Sequence, residues 1–235
     1  MKRKIVIVLL VWQFLMTTLL TVGGIENEKL GVMAKMLWGV NLLWIATFGV
    51  VSLSLRERVA ALGEDLRWRA VWFFGGATAM ALLGEAVTTA MTNCAPFFGA
   101  EIGEVYITAS ANYLDVVIFH SVVVMLPQFA ILGWLLQRYN LSPFAVFLCY
   151  GFTGFFNEAL FAGPNPLMLA QWILIYGLFV FLPAALFLRK MDRKTLPWYG
   201  YPLIVVLPIF ASIPLVALLL LVIAPGHPGI HFPPM

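Results

Sequence analysis

The chain has 235 residues, of which 62% are hydrophobic and 11% charged, with a formal net charge of +3. A typical soluble domain is about 45–50% apolar and about 25% charged, so this chain lacks the polar surface of one. That excludes an ordinary soluble enzyme, a disordered chain and a disulfide scaffold, and leaves an all-α, polytopic membrane protein forming one helical bundle over 1–235.

Seven stretches have the roughly 20 mainly apolar residues that a crossing helix needs. In chain order they are 5–22, 33–55, 70–92, 113–136, 143–162, 166–188 and 200–224. The runs are too long and too uniformly apolar for the alternating strands of a barrel. The first, behind Lys2, Arg3 and Lys4, also reads as a signal peptide, but it is long for one and lacks an A-x-A site. It is taken as a retained anchor; its removal would leave six spans.

With seven crossings, twelve of the 14 basic residues fall on one side. These are Lys2, Arg3, Lys4, Arg56, Arg58, Arg67, Arg69, Arg138, Arg189, Lys190, Arg193 and Lys194; only Lys29 and Lys35 fall on the other. The positive-inside rule then puts the N-terminus in the cytoplasm and the C-terminus outside, in a cell membrane. Because topology accounts for the basic loops, no nucleic-acid partner is expected. The partner is the bilayer itself, and the oligomeric state is left open.

A weak internal repeat runs through the middle. Spans three and five carry LLGEAV and FFNEAL around Glu85 and Glu158, and spans four and six carry Leu-Pro pairs at Pro127 and Pro183. Parallel repeats of this kind place sites between them in transporters, although chance produces such short matches too.

Ionisable groups well inside a span are costly and usually face the bundle interior. Glu85 and Glu158 qualify, each about 16 residues from the cytoplasmic end of its span and so roughly 20–24 Å deep at 1.5 Å per residue. His120, about 10 Å into the descending span four, falls near the same layer. These three are the candidate catalytic residues. Desolvation is one way a protein tunes a carboxylate for general-acid work.

Thr78, Glu85, Thr88, Thr89 and Thr92 share one helix face by their spacing. Gly151, Gly154 and Glu158 share another, where small residues admit a neighbouring helix. Asn157, Gln128, Thr89 and Gln171 are the candidate substrate-binding residues, with Gln128 about 80° round from His120 on a continuous helix. A histidine beside two carboxylates also suits a metal, and structural pairing within the bundle is the plainer alternative. Asn112 and Asp115 read as a helix cap and its acidic first turn.

The outer segment 93–112 is apolar enough to lie in the interface or cover a cavity. The tail carries His227 and His231, but Pro228 and Gly229 break the helix that would align them as ligands. Cys94 and Cys149 differ in depth by roughly 20 Å, too far apart for a disulfide.

Phosphate-loop, dinucleotide, HExxH and GxSxG motifs are absent, and no cofactor is expected. Glu-bearing helix pairs in a small seven-span chain resemble membrane enzymes of carotenoid modification in outline, and no motif carries residue roles across. The leading expectation is a membrane-embedded enzyme doing acid/base chemistry on a lipid or isoprenoid in an outer-leaflet cavity. The alternatives are a small transporter or proton-coupled permease component, and an accessory subunit.

Overall fold

The computed structural model describes residues 2–188, 193–223 and 225. Its helices are α1 (Lys2–Gly23), α2 (Glu28–Val40), α3 (Gly49–Asp65), α4 (Arg69–Asn93), α5 (Ala95–Phe98), α6 (Tyr113–Phe119), α7 (Ser121–Arg138), α8 (Pro143–Ala162), α9 (Leu169–Ala184) and α10 (Tyr201–Leu218). A π-helical segment, Asn41–Phe48, joins α2 to α3, so that Glu28–Asp65 is one 38-residue helix. A second π segment, Leu219–Ile223, ends α10.

Six helical stretches among the described residues are long and apolar enough to cross a membrane: Lys2–Gly23, Glu28–Asp65, Arg69–Asn93, Ser121–Arg138, Pro166–Phe187 and Trp198–Val222. The seventh expected span, α8, is a 20-residue helix that stands outside this set. Its polar pair Asn157–Glu158, with Thr153 and three helix glycines or prolines, dilutes its apolar character. The His227 and His231 tail lies outside the described residues.

The elements begin and end for local reasons. Asn27 caps α2 by accepting from the Leu30 amide, and Ser142 caps α8 by accepting from the Ala145 amide, with Pro143 behind it. These caps satisfy N–H groups that a helix start leaves without partners. Asn112 caps α6 as expected, accepting from the Leu114 amide, and Asp115 lies in the first turn.

One expected span is not continuous. Residues 113–136 are divided at His120, whose backbone (φ −132°, ψ −82°) ends α6 and precedes α7. Pro127 lies inside α7 without breaking it.

The core is most closely packed where α8 meets α9. Gly151 sits against the Ile173 backbone, Gly154 against the Tyr176 ring, and Gly177 against Phe147. Phe73, Phe129, Leu132, Leu136, Tyr150 and Phe187 are fully buried around this pair. The helix pairs of the weak repeat are also neighbours in space, α4 against α7 and α8 against α9.

The basic loops meet at one end of the bundle. Lys2, Arg56, Ser142 and Leu188 border one crevice there. The Lys194 amide donates to Arg138, the Asn140 amide donates to Lys194, and Arg193 donates to the carbonyls of Leu136, Tyr139 and Phe187. Burial, followed by the nearby Arg69, holds the Arg193 pKa below its ordinary value. Cys94 and Cys149 are both free thiols.

Gly151→Ala places a methyl 2.7 Å from the Ile173 carbonyl, and overpacking of this kind costs about 1–3 kcal/mol. Thermal unfolding in detergent is expected to show that loss. Gly49→Ala, which meets nothing within 4 Å, is expected to leave the transition unchanged or raise it.

Candidate functional site

At the end of the bundle opposite the basic crevice, one cavity of about 670 Å³ opens among α2, α4, α7, α8, α9 and α10. Glu85, His120, Asn157, Glu158 and Gln171 all line it. Five of the seven residues singled out from sequence therefore line one cavity, drawn from α4, α8, α9 and the break between α6 and α7. Its size is within the roughly 300–1,000 Å³ of small-molecule sites.

The remaining two do not reach it. Gln128 is fully buried behind the cavity, where its side chain accepts from the Tyr150 hydroxyl at 2.9 Å and from Asn157 at 3.4 Å, and donates to Ser212 at 3.2 Å. It braces the bundle and holds Asn157. The sequence reading assumed a continuous helix between His120 and Gln128; the break at His120 removes that register. Thr89 is buried outside the cavity wall, and its hydroxyl has no hydrogen-bond partner.

The two carboxylates sit in different polar settings. Glu85 on α4 accepts from Thr88, one turn on, at 3.1 Å, and Ser121 at the start of α7 lines the same cavity. Ser121 Oγ lies 2.8 Å from His120 Nδ1. A hydroxyl has one proton to donate and can also accept. Ser121 can therefore accept from the imidazole or donate to it, according to the His120 tautomer.

Glu158 on α8 accepts from the Tyr176 hydroxyl at 2.5 Å. Tyr176 reaches it because Gly154, four residues before Glu158, has no side chain to keep the ring off α8. Both carboxylates are half-buried.

Gln171 ties the cavity to α1. Gln13 donates to Gln171 at 3.3 Å and to Asn41 at 2.9 Å, and Asn41 donates to Thr17 at 2.9 Å. Gln13 and Thr17 are buried, so the first helix is built into the polar framework behind the site.

The outer segment contributes a roof: Tyr106, Ile107, Thr108 and Ala109 line the cavity. Thr92 holds this stretch by accepting from the Ile107 amide at 3.3 Å and from Thr108 at 3.2 Å, and Asn93 donates to Ala111 at 2.9 Å. Most other wall residues are apolar, among them Leu37, Val40, Met125 and Ile175. Of all the lining residues only His120 and Leu220 are exposed, which places the rim between the α6–α7 break and the end of α10.

Sequence reasoning missed Tyr176 and Ser121. Tyr176 reads as one more aromatic in an apolar span, and Ser121 as a small neighbour of His120. Only Gly154 and Glu158 on one α8 face hinted that something lies against that turn.

Among the described residues no group of three His, Cys, Asp or Glu is placed to hold a metal ion. The metal reading of Glu85, Glu158 and His120 therefore lacks a ligand set. Comparison with family models, with curated proteins and with solved structures finds no match for this chain.

Gln128→Leu removes the buried network with Tyr150, Asn157 and Ser212, whose loss costs about 1–3 kcal/mol. Thermal unfolding in detergent is expected to show that loss.

Proposed function

We propose that this chain is a seven-span protein of the cell membrane, with its N-terminus in the cytoplasm and its C-terminus outside. In this reading it is an enzyme that performs acid/base chemistry on a lipid or isoprenoid held in the outer-leaflet half of the bundle. The observation that carries the proposal is the shared cavity: two carboxylates and a histidine, remote in sequence, at the polar part of a largely apolar chamber.

The topology has its own support. At 1.5 Å per residue the 20 residues of α8 extend about 30 Å, the thickness of a hydrocarbon core. The clustering of Lys2, Arg56 and the Arg138–Lys194 contacts at one end agrees with a positive-inside arrangement. The buried Gln13 network supports α1 as a permanent part of the bundle.

Each residue then has a task. Glu85 or Glu158 is the acid. His120, whose Nδ1 is hydrogen-bonded to Ser121, is the partner base. Asn157 and Gln171 orient the polar part of the substrate, and the apolar walls take its chain. The dense layer of Phe129, Tyr150 and Phe187 toward the basic end favours a site reached from one side over a path through the protein.

The test is a comparison of membrane lipid extracts by mass spectrometry from cells expressing the wild-type chain, Glu85→Gln or Glu158→Gln. The expected outcome is a lipid or isoprenoid species formed or depleted by the wild type and by neither variant, with all three proteins folded and inserted alike. Extracts that do not differ between wild type and variants contradict the proposal.

A further inference from the structure

The cavity also constrains the charge of what it holds. Glu85 and Glu158 both line the chamber, and among the described residues no lysine or arginine lines it. A phosphate or carboxylate head would enter beside two acidic side chains without the cationic donors that such groups usually find. The aromatic lining points the same way. Trp172, Tyr176 and Phe179 follow an i, i+4, i+7 spacing on one face of α9, with ring centroids 6.2 Å apart for Trp172–Tyr176 and 5.5 Å for Tyr176–Phe179. Aromatic faces attract cations, most strongly where water is excluded. The Tyr176 hydroxyl is bonded to Glu158, so an aromatic surface and a carboxylate meet at one place.

We infer that the ligand of this cavity is an amphiphile with an ammonium head and no phosphate. The head lies between Glu85, Glu158 and the aromatic face of α9. The alkyl chain follows the apolar wall of Leu37 and Leu219. This inference rests on the proposed cavity site and specifies the substrate class it takes.

The test titrates the full-length protein in nanodiscs, by calorimetry, with decyltrimethylammonium, decyl phosphocholine, decyl sulfate and decanol, each below its micelle concentration. Decyltrimethylammonium is expected to bind saturably, and the phosphocholine and sulfate at least tenfold more weakly. The Glu85→Gln/Glu158→Gln double variant is expected to lose at least tenfold in affinity for the cation, and Trp172→Leu several-fold, with unfolding transitions retained. The inference is overturned if the sulfate or the phosphocholine binds as tightly as the cation, or if neither variant weakens it. Decanol matching the cation in every protein would remove the ammonium head and leave the cavity reading standing. Absence of saturable binding by all four compounds would remove both.

Discussion

The arrangement depends on the close approach of α8 and α9. Gly154 leaves room on α8 for the Tyr176 ring, and that ring carries its hydroxyl to Glu158 one helical turn further on. A polar group in an apolar bundle is tolerated when it is hydrogen-bonded and costs several kcal/mol when it is not. The missing side chain at Gly154 is therefore what allows a carboxylate to be kept at Glu158. Gly151 and Gly177 maintain the same approach along the rest of the pair. Gln171, which joins the cavity to α1, is carried on the helix that this packing fixes.

Irregular helical segments lie at and beside the cavity. A π segment over Asn41–Phe48 places Asn41 in the Gln13 network and buries Trp44, whose indole donates to the Ile175 carbonyl at 3.3 Å. The break at His120 places His120 and Ser121 in the cavity wall. A second π segment carries Leu219 and Leu220 to the rim. Such interruptions are tolerated in a membrane where the freed backbone is buried in protein or lines a cavity, and they gather at functional sites. Here the break at His120 and the second π segment border the chamber, and the first begins just past Val40 of its wall, whereas the opposite half of the bundle is packed with large aromatic and aliphatic side chains.

The extent of the helices was legible in the sequence because membrane thickness and apolar run length are linked. Spans 5–22, 70–92, 143–162 and 166–188 lie within two or three residues of helices in the structure. The second helix is longer than its apolar run because helix continues through the charged Arg56–Arg58 region, beyond what hydropathy registers. The convergence of Glu85, Glu158 and His120 was legible because each stands about the same distance from a span end. Gln128 and Thr89 lie outside the cavity wall, which spacing along a single helix does not reveal. Tyr176 escaped notice because its role depends on the absence of a side chain in another helix.

The central claim is that Glu85 and Glu158, 73 residues apart, act as one site. The most direct test replaces both with cysteine, in a chain where Cys94 and Cys149 are serine, and treats membranes with a short bifunctional methanethiosulfonate. The account predicts a cross-link within a single chain, joining positions 85 and 158 and identified by mass spectrometry of the digest. Reaction of each cysteine with a monofunctional reagent, but no link between them, would contradict it.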